Sequence, residues 1–214
     1  MRKMTSKLTL VIGNKNHSSW SLRPWLLMKE AEIPFKEIVI PLRTVTTVSK
    51  ILRYSPSGRV PVLIDGKLTI WESLAICEYI AERFPKKHLW PQNTGARAVA
   101  RSMSLEMHAG FQALRQDMPM NVCARFPEKK RAGGVSDDIK RVTEIWNVCR
   151  KQYGKGGGML FGHFSVVDAM FAPVVLRFVT YGVKVDSISR TYMDAILSLR
   201  AMKEWIEEAK GEVE

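Results

Sequence analysis

The order of short β-type runs and helical patterns in the first 85 residues constrains the fold more than any other feature. Runs rich in branched and aromatic residues predict strands, and amphipathic stretches between them predict helices. The strands are predicted over 8–13, 35–41, 60–64 and 67–70, and the helices over 21–31, 45–54 and 72–84. Asp65-Gly66, between the last two strands, is a strong hairpin signal. The predicted order is β-α-β-α-β-β-α.

This order also predicts how the strands pair. A strand-helix-strand connection brings its two strands together in parallel through a right-handed crossover, whereas a tight hairpin pairs strands antiparallel. We therefore expect an α/β unit with a mixed four-stranded sheet and helices packed on its faces.

The rest of the chain contains helical patterns and no convincing strand. Helices are predicted over 96–118, 135–153, 165–181 and 198–211, after a stretch rich in proline, asparagine and glycine. The predicted organisation is a domain over 1–85, a linker over 86–95 and an all-α domain over 96–214. Within it, Ser165 and Asp168 follow Phe164 in the spacing of a helix capping box, which predicts a structural role.

The net charge of +12 is the unusual bulk property, and it is shared between the two parts. Residues 1–85 contain 13 Lys and Arg against 7 Asp and Glu, and residues 86–214 contain 20 against 14. Because neither part has a basic tail or a dense basic stripe, we expect no specific nucleic-acid partner. A diffuse positive field favours anionic small molecules.

Two further features bear on location and metal binding. The basic residues 1–7 precede an apolar run too short for a signal peptide, and no apolar run is long enough to cross a membrane, so a cytoplasmic protein is expected. The cysteines Cys77, Cys123 and Cys149 lack metal-ligand spacing, which predicts reduced thiols and no metal. Cys77 lies in an apolar helical pattern and is expected to be buried.

The first candidate site is the serine-rich loop after the first strand, where Ser18 and Ser19 precede a predicted helix. A hydroxyl beside free helix N–H groups can stabilise an anion such as a ligand thiolate. The alternative is that a serine only caps the helix, which is a common role for serine at this position.

Two more candidates follow along the chain. A cis bond between Val60 and Pro61 would leave the Val60 main chain free to pair with a peptide-like ligand, although Pro61 could also be an ordinary edge-strand proline. Glu72 and Ser73 begin a predicted helix and could hold an ammonium and a carboxylate, or simply favour the helix start.

Together these three motifs, in this order and spacing, resemble the glutathione transferase family, and the resemblance covers nearly the whole chain. It implies a thioredoxin-like glutathione-binding domain followed by an all-helical domain that contributes the second-substrate site. Arg23 in the first helix implies that Ser18, five residues earlier, donates a hydrogen bond to the sulfur of glutathione. Ser19 is the adjacent alternative.

The resemblance assigns the other glutathione contacts as well. The main chain of Val60, beside a cis Pro61, would hold the cysteinyl backbone of glutathione, and Arg59 its glycyl carboxylate. Glu72 and Ser73 would hold the γ-glutamyl end.

The second substrate is expected between the domains, near Trp20. One continuous helix over 96–118 would place His108, Gln112 and Arg115 on one face, at spacing i, i+4 and i+7. The alternative is a solvated polar stripe.

The function implied by the resemblance is conjugation of the glutathione thiolate to a small electrophile, as in detoxification, by a homodimer that needs no metal. The serine motif also resembles the zeta class, which implies a glutathione-dependent isomerase of the maleylacetoacetate type as an alternative. A non-catalytic interaction protein on the same fold is a further alternative, because fold alone does not specify function.

Overall fold

The computed structural model describes residues 8–212 and begins with four strands that alternate with helices. The strands are β1 (Leu8–Gly13), β2 (Phe35–Ile40), β3 (Val62–Asp65) and β4 (Leu68–Trp71). The helices among them are α1 (Ser19–Glu30), α2 (Thr47–Ile51) and α3 (Ser73–Arg83). The predicted element order is confirmed. The basic residues 1–7 lie outside the described residues.

The sheet has the mixed topology that the sequence predicts. Its strand order is β2-β1-β3-β4, with β1 parallel to β2 and antiparallel to β3, and with β3 and β4 antiparallel as a hairpin. Gly66, in the turn of that hairpin, has a φ of 61°, a left-handed conformation that glycine adopts at little cost. This arrangement is the thioredoxin-like sheet.

Within the described residues, six further helices follow a short 3₁₀ turn at Pro85–Lys87. They are α4 (Thr94–Ala109), α5 (Gln112–Asp117), α6 (Val135–Tyr153), α7 (Val166–Thr180), α8 (Ser187–Ser198) and α9 (Arg200–Gly211). Among the described residues this region has no extended strand, only two isolated β-bridges between 159 and 163. No helix within residues 8–212 has the length and apolar character needed to span a bilayer.

The central helix of this region is α7, which is apolar around its circumference and buried along nearly its whole length. A helix without a polar face needs protein on every side. At its start Asp168 accepts hydrogen bonds from the Ser165 N–H at 2.9 Å and from the Leu160 N–H at 3.0 Å. The predicted capping role of Ser165 and Asp168 is confirmed.

Three details of the predicted helices are wrong. The helix expected over 96–118 is two helices, α4 and α5, because the chain is extended at Gly110 and left-handed at Phe111. The helix α8 was not predicted from the sequence. In addition, α1 begins at Ser19, two residues earlier than expected, so Pro24 lies in its second turn and leaves the Trp20 carbonyl without its helical N–H donor.

The two parts of the chain meet along α1. This helix packs on α3 of the sheet unit and on α7 and α9 of the helical region. The rings of Trp25 and Trp205, both fully buried, meet edge to face at 5.0 Å across this contact. The first turn of α1 therefore lies where both parts can contribute side chains to one site.

Candidate functional site

A cavity of about 450 Å³ opens between the sheet unit and α4. Its walls come from the start of α1, the loop before β3, the start of α3 and the end of α4. The lining residues are Trp20, Ser57, Arg59, Val60, Pro61, Glu72, Ser73, His108 and Ala109. The cavity therefore brings together most of the candidate residues, which come from segments far apart in sequence.

One wall is the segment that enters β3. The peptide bond between Val60 and Pro61 is cis, the first of the two alternatives that the sequence left open. In the described sheet the pairing of β1 with β3 extends only to Val62, so the half-buried Val60 lies outside that ladder. Arg59 precedes it with an exposed side chain. This wall offers unpaired main chain and a cation to a ligand.

A second wall is the turn that begins α3. Glu72 has a φ of 69° and a ψ of 124°, a conformation that costs a non-glycine residue about 1–3 kcal/mol. The turn leaves the Glu72 side chain exposed, while Ser73 is fully buried and its hydroxyl accepts a hydrogen bond from Arg23 Nη1 at 3.3 Å. Strain of this kind is concentrated at ligand-binding positions.

The serines at the start of α1 are nearly buried and do not line the cavity. Ser18 Oγ donates to Ser21 Oγ at 2.7 Å, and its side chain makes no capping hydrogen bond. Ser19 Oγ accepts a hydrogen bond from Arg177 Nη2 at 3.1 Å. The two hydroxyls thus have different partners. The alternative that the Ser18 side chain only caps α1 is wrong, because that side chain makes no capping hydrogen bond.

The loop that leads to these serines is anchored by α9 and by Glu212, which follows it. The Glu212 carboxylate accepts hydrogen bonds from the Lys15 N–H at 2.8 Å and from the Asn16 N–H at 3.0 Å. Trp205 Nε1 donates to the Lys15 carbonyl at 2.9 Å, and the nearly buried Lys15 ammonium pairs with Glu37 at 2.7 Å. The end of the described chain therefore positions the loop before Ser18.

His108 forms the wall that α4 contributes, and it meets two other cavity residues. Its ring packs edge to face with Trp20 at 5.2 Å, and its Nε2 lies 3.7 Å from Glu72 Oε2. Burial lowers the pKa of His108, and the charges of Arg23 and Arg115 lower it further against the opposing effect of Glu72. The carboxylate neighbour was not visible in the sequence, because 36 residues separate the two positions.

The break between α4 and α5 prevents the polar stripe expected on one helix face. Gln112 is exposed, donates to the Ala109 carbonyl at 3.1 Å and does not line the cavity. Arg115 turns back instead, donating from Nε to the Gly110 carbonyl at 2.9 Å, and its guanidinium lies 4.8 Å from the Trp20 ring centre. The prediction of one face was wrong because it assumed a continuous helix.

Three features near the cavity were not identified as functional from the sequence. Ser57 lines the cavity from an ordinary serine-rich loop, which carries no signal of its own. Arg23 is fully buried and Arg177 is 4% exposed. The position of Arg177 within the apolar pattern of α7 could have identified it, because an arginine is rarely buried without a partner.

No cysteine lies among the described residues that line this cavity. Cys77 is fully buried, as predicted, and burial raises the pKa of its thiol to about 12. Within the described residues no group of three or more histidine, cysteine or acidic side chains could hold a metal ion.

Comparison with known proteins gives a family match and similarities to individual proteins. Residues 17–83 match the glutathione S-transferase N-terminal domain. Glutathione S-transferase 1 of Dianthus caryophyllus is 32% identical over 178 residues, covering 82% of this chain and 79% of that protein. A dichloromethane dehalogenase of Methylorubrum extorquens is 42% identical over 65 residues, which are 29% of this chain and only 23% of the dehalogenase.

A solved structure agrees in fold. The crystal structure of a glutathione transferase homologue from Burkholderia, with bound glutathione, superposes with a TM-score of 0.71. It is 21% identical, and the match covers 96% of this chain and 99% of that one.

Proposed function

Because the chain belongs to the glutathione S-transferase family, we propose that it is an enzyme that conjugates glutathione to a small electrophile. The observation that carries this proposal is the cavity wall itself. It combines unpaired main chain at Val60 with Glu72 and Ser73 at the strained start of α3. A γ-linked tripeptide with two carboxylates and an ammonium group has matching chemistry.

The proposed contacts follow the chemistry of each group. The Val60 main chain pairs with the cysteinyl backbone of glutathione beside the cis bond to Pro61. Ser73, with the N–H groups at the start of α3, holds the γ-glutamyl carboxylate, and Glu72 holds its ammonium group. Arg59 holds the glycyl carboxylate.

In the proposed reaction glutathione supplies the nucleophile. Its thiol loses a proton to solvent, and the thiolate attacks the electrophilic carbon, forming a carbon–sulfur bond as the leaving group departs with its electron pair. Ser18, or alternatively Ser19, donates a hydrogen bond that favours thiolate over thiol. The electrophile occupies the side of the cavity formed by Trp20 and His108, and the reaction requires no metal.

The proposal includes an assembly and a location. A homodimer is supported by apolar side chains exposed on the described surface, among them Trp71 at 42% and Leu105 at 56%. The division into a glutathione-binding domain over 1–85 and a helical domain over 96–214, and a cytoplasmic role in detoxification, are part of the same proposal. Size-exclusion chromatography with light scattering tests the dimer, and a monomeric mass would contradict it.

Calorimetric titration with reduced glutathione tests the binding step. We expect saturable binding to the wild-type protein and a loss of at least tenfold in affinity for Glu72→Ala. Glu82→Ala, an exposed position on the same helix, is the matched control and should bind like the wild type. No uptake at millimolar glutathione would overturn the proposed function.

A panel of electrophiles, including a dihalomethane and other haloalkanes, tests the chemistry. Conjugates measured by mass spectrometry should form with the wild type and decrease strongly in either Ser18→Ala or Ser19→Ala. Equal turnover in all three proteins would remove serine activation from the mechanism. Isomerisation of a cis-unsaturated diketo acid without consumption of glutathione would favour the isomerase alternative, which the serine motif supports. Binding without turnover of any substrate would favour the interaction protein.

A further inference from the structure

Three guanidinium groups meet behind the cavity and form what we call the arginine cluster, composed of Arg23 on α1, Arg115 on α5 and Arg177 on α7. Arg23 and Arg177 are buried and Arg115 is half-buried. Burial lowers the pKa of each guanidinium, that of Arg177 to about 9. The charges also repel one another, because the charge of Arg115 lowers the pKa of Arg23 and of Arg177 further. Packing therefore holds three like charges close together.

The cluster is not neutralised by carboxylates. Its hydrogen bonds go to serine hydroxyls and to main-chain carbonyls, such as those of Gly110 and Met118. In the described structure no carboxylate forms an ion pair with any of the three. Arg23 Nε and Nη2, Arg115 Nη1 and Arg177 Nη1 are buried without a hydrogen-bond partner.

The ionisable groups around the cluster, which include Tyr181 beside Arg177, compensate its charge only in part. Glu72 acts on Arg23 and His108 from the cavity wall, and the Cys77 thiol beside Arg23 is neutral because burial raises its pKa to about 12. On the other side Asp138 acts on Arg115, but its carboxylate accepts a hydrogen bond from the Leu114 N–H at 2.9 Å.

Uncompensated charge of this kind is costly to bury. Buried groups that lack partners call for a specific reason, and perturbed ionisable groups are concentrated at functional sites. The simplest reason is an anion that is present only when the ligand is bound.

Two members of the cluster reach different candidate residues. Arg23 Nη1 donates to Ser73, which we assign to the γ-glutamyl carboxylate, at 3.3 Å. Arg177 Nη2 donates to Ser19 at 3.1 Å, next to Ser18.

The third member, Arg115, meets the cavity through an aromatic ring. The guanidinium carbons of Arg23 and Arg115 lie 4.2 Å and 4.8 Å from the centre of the Trp20 ring. The cluster is thus in contact with the residues proposed to bind the thiol, the carboxylate and the electrophile.

We propose that the arginine cluster is the fixed positive charge that keeps the sulfur of bound glutathione ionised, with Arg177 and Arg115 of the helical region as positioning residues. This inference rests on the proposed function and deepens it. The thiol proton leaves to solvent, and the thiolate remains because its charge is attracted by the cluster. The serine hydroxyl donates the direct hydrogen bond, and the cluster supplies the field behind it.

The expected effect is measurable. A unit charge about 8 Å from a sulfur, at an effective dielectric constant of about 20, lowers the thiol pKa by roughly 1.5 units. Removing one of three charges should therefore raise the pKa of the bound thiol by about one unit after relaxation, which is about tenfold less thiolate at a pH below both values.

The test is a pH titration of the ultraviolet absorbance of the thiolate in the glutathione complex. For the wild type we expect a thiol pKa at least about two units below that of free glutathione in the same buffer. Arg177→Met and Arg115→Met should each raise it by about one unit, and Arg177→Lys should retain most of the shift because it keeps the charge. Arg141→Met, which removes an exposed arginine paired with Glu106, is the control and should leave the thiol pKa unchanged.

A second readout separates charge from structure. S-methylglutathione has no ionisable thiol, so the methionine variants should weaken its binding about threefold less than they weaken glutathione binding at neutral pH, where the wild-type bound thiol is already mostly ionised. Equal weakening of both ligands would assign the arginines a structural role and overturn the proposal.

The failures of the two proposals are distinguishable. Absence of calorimetric binding overturns the proposed function and this inference with it. Binding with a thiol pKa equal to that of free glutathione overturns the inference alone, and it needs no variant. If Arg177→Met does not fold, the half-buried Arg115→Met decides, and an unchanged thiol pKa in that variant would assign the ionisation to the serine hydroxyl.

Discussion

Replacement of Asp168 by asparagine should change how the stability of the protein depends on pH. Asp168 is fully buried at the start of α7. Burial raises the pKa of its carboxyl from 3.8 to about 6, although hydrogen bonds from Leu160 and Ser165 act in the opposite direction. The amide introduced by Asp168→Asn would be neutral at every pH while retaining one oxygen acceptor.

The sign follows from where the proton is held more tightly. Because the folded-state pKa lies above the unfolded-state value, folding favours the protonated form, and stability falls as pH rises from about 4 to about 6. A shift of about 2 units corresponds to roughly 3 kcal/mol in the free energy of unfolding. About 1 kcal/mol of this is already lost at pH 4.5, so about 2 kcal/mol remains to be lost by pH 7.5.

Urea unfolding of both proteins at pH 4.5 and pH 7.5, followed by tryptophan fluorescence at one protein concentration, measures this loss. The stability advantage of the wild type over Asp168→Asn should shrink by about 2 kcal/mol between the two pH values, close to 1 M in the midpoint difference. The exposed Asp194→Asn is the matched control and should show no such change. An advantage that is equal at both pH values would refute the reasoning, since the hydrogen bonds would then fully offset the effect of burial on the pKa.

Three further substitutions test other parts of the structure. Ser73→Ala should weaken calorimetric glutathione binding by about 10- to 100-fold, the effect of one charge-assisted hydrogen bond; an unchanged affinity would remove Ser73 from the site. Trp205→Phe deletes the hydrogen bond to the Lys15 carbonyl and should cost about 1–2 kcal/mol in urea unfolding, whereas an unaltered midpoint would contradict that anchor. Gly110→Ala would place its Cβ 2.8 Å from the Glu106 carbonyl oxygen and should lower Tm by several degrees; an equal or higher Tm would show that the α4–α5 break can relax.

Much of the cavity wall could be predicted because the motifs that form it are local. Val60-Pro61 and Glu72-Ser73 are short motifs whose turn chemistry depends on neighbouring residues, and the structure places both pairs on the cavity wall. Trp20 reaches the same cavity from the first turn of α1.

The errors also have a physical reason. The stripe of His108, Gln112 and Arg115 assumed helical periodicity through Gly110, whereas the chain is extended there and Phe111 adopts a left-handed conformation. A single glycine in a helical pattern does not by itself predict such a break, because packing on neighbouring helices decides whether the helix continues.

The sequence by itself determined the order of strands and helices over the first 85 residues, the sheet topology, the turn motifs and the capping of α7. These depend on propensities and periodicities that act over a few residues. Tertiary structure alone decided which distant polar groups meet. Arg177 donates a hydrogen bond to Ser19, and Glu212 accepts one from the Lys15 N–H. Contacts between residues so far apart in the chain leave no periodic signal in the sequence. Whether one arginine is buried beside another depends on how the helices pack.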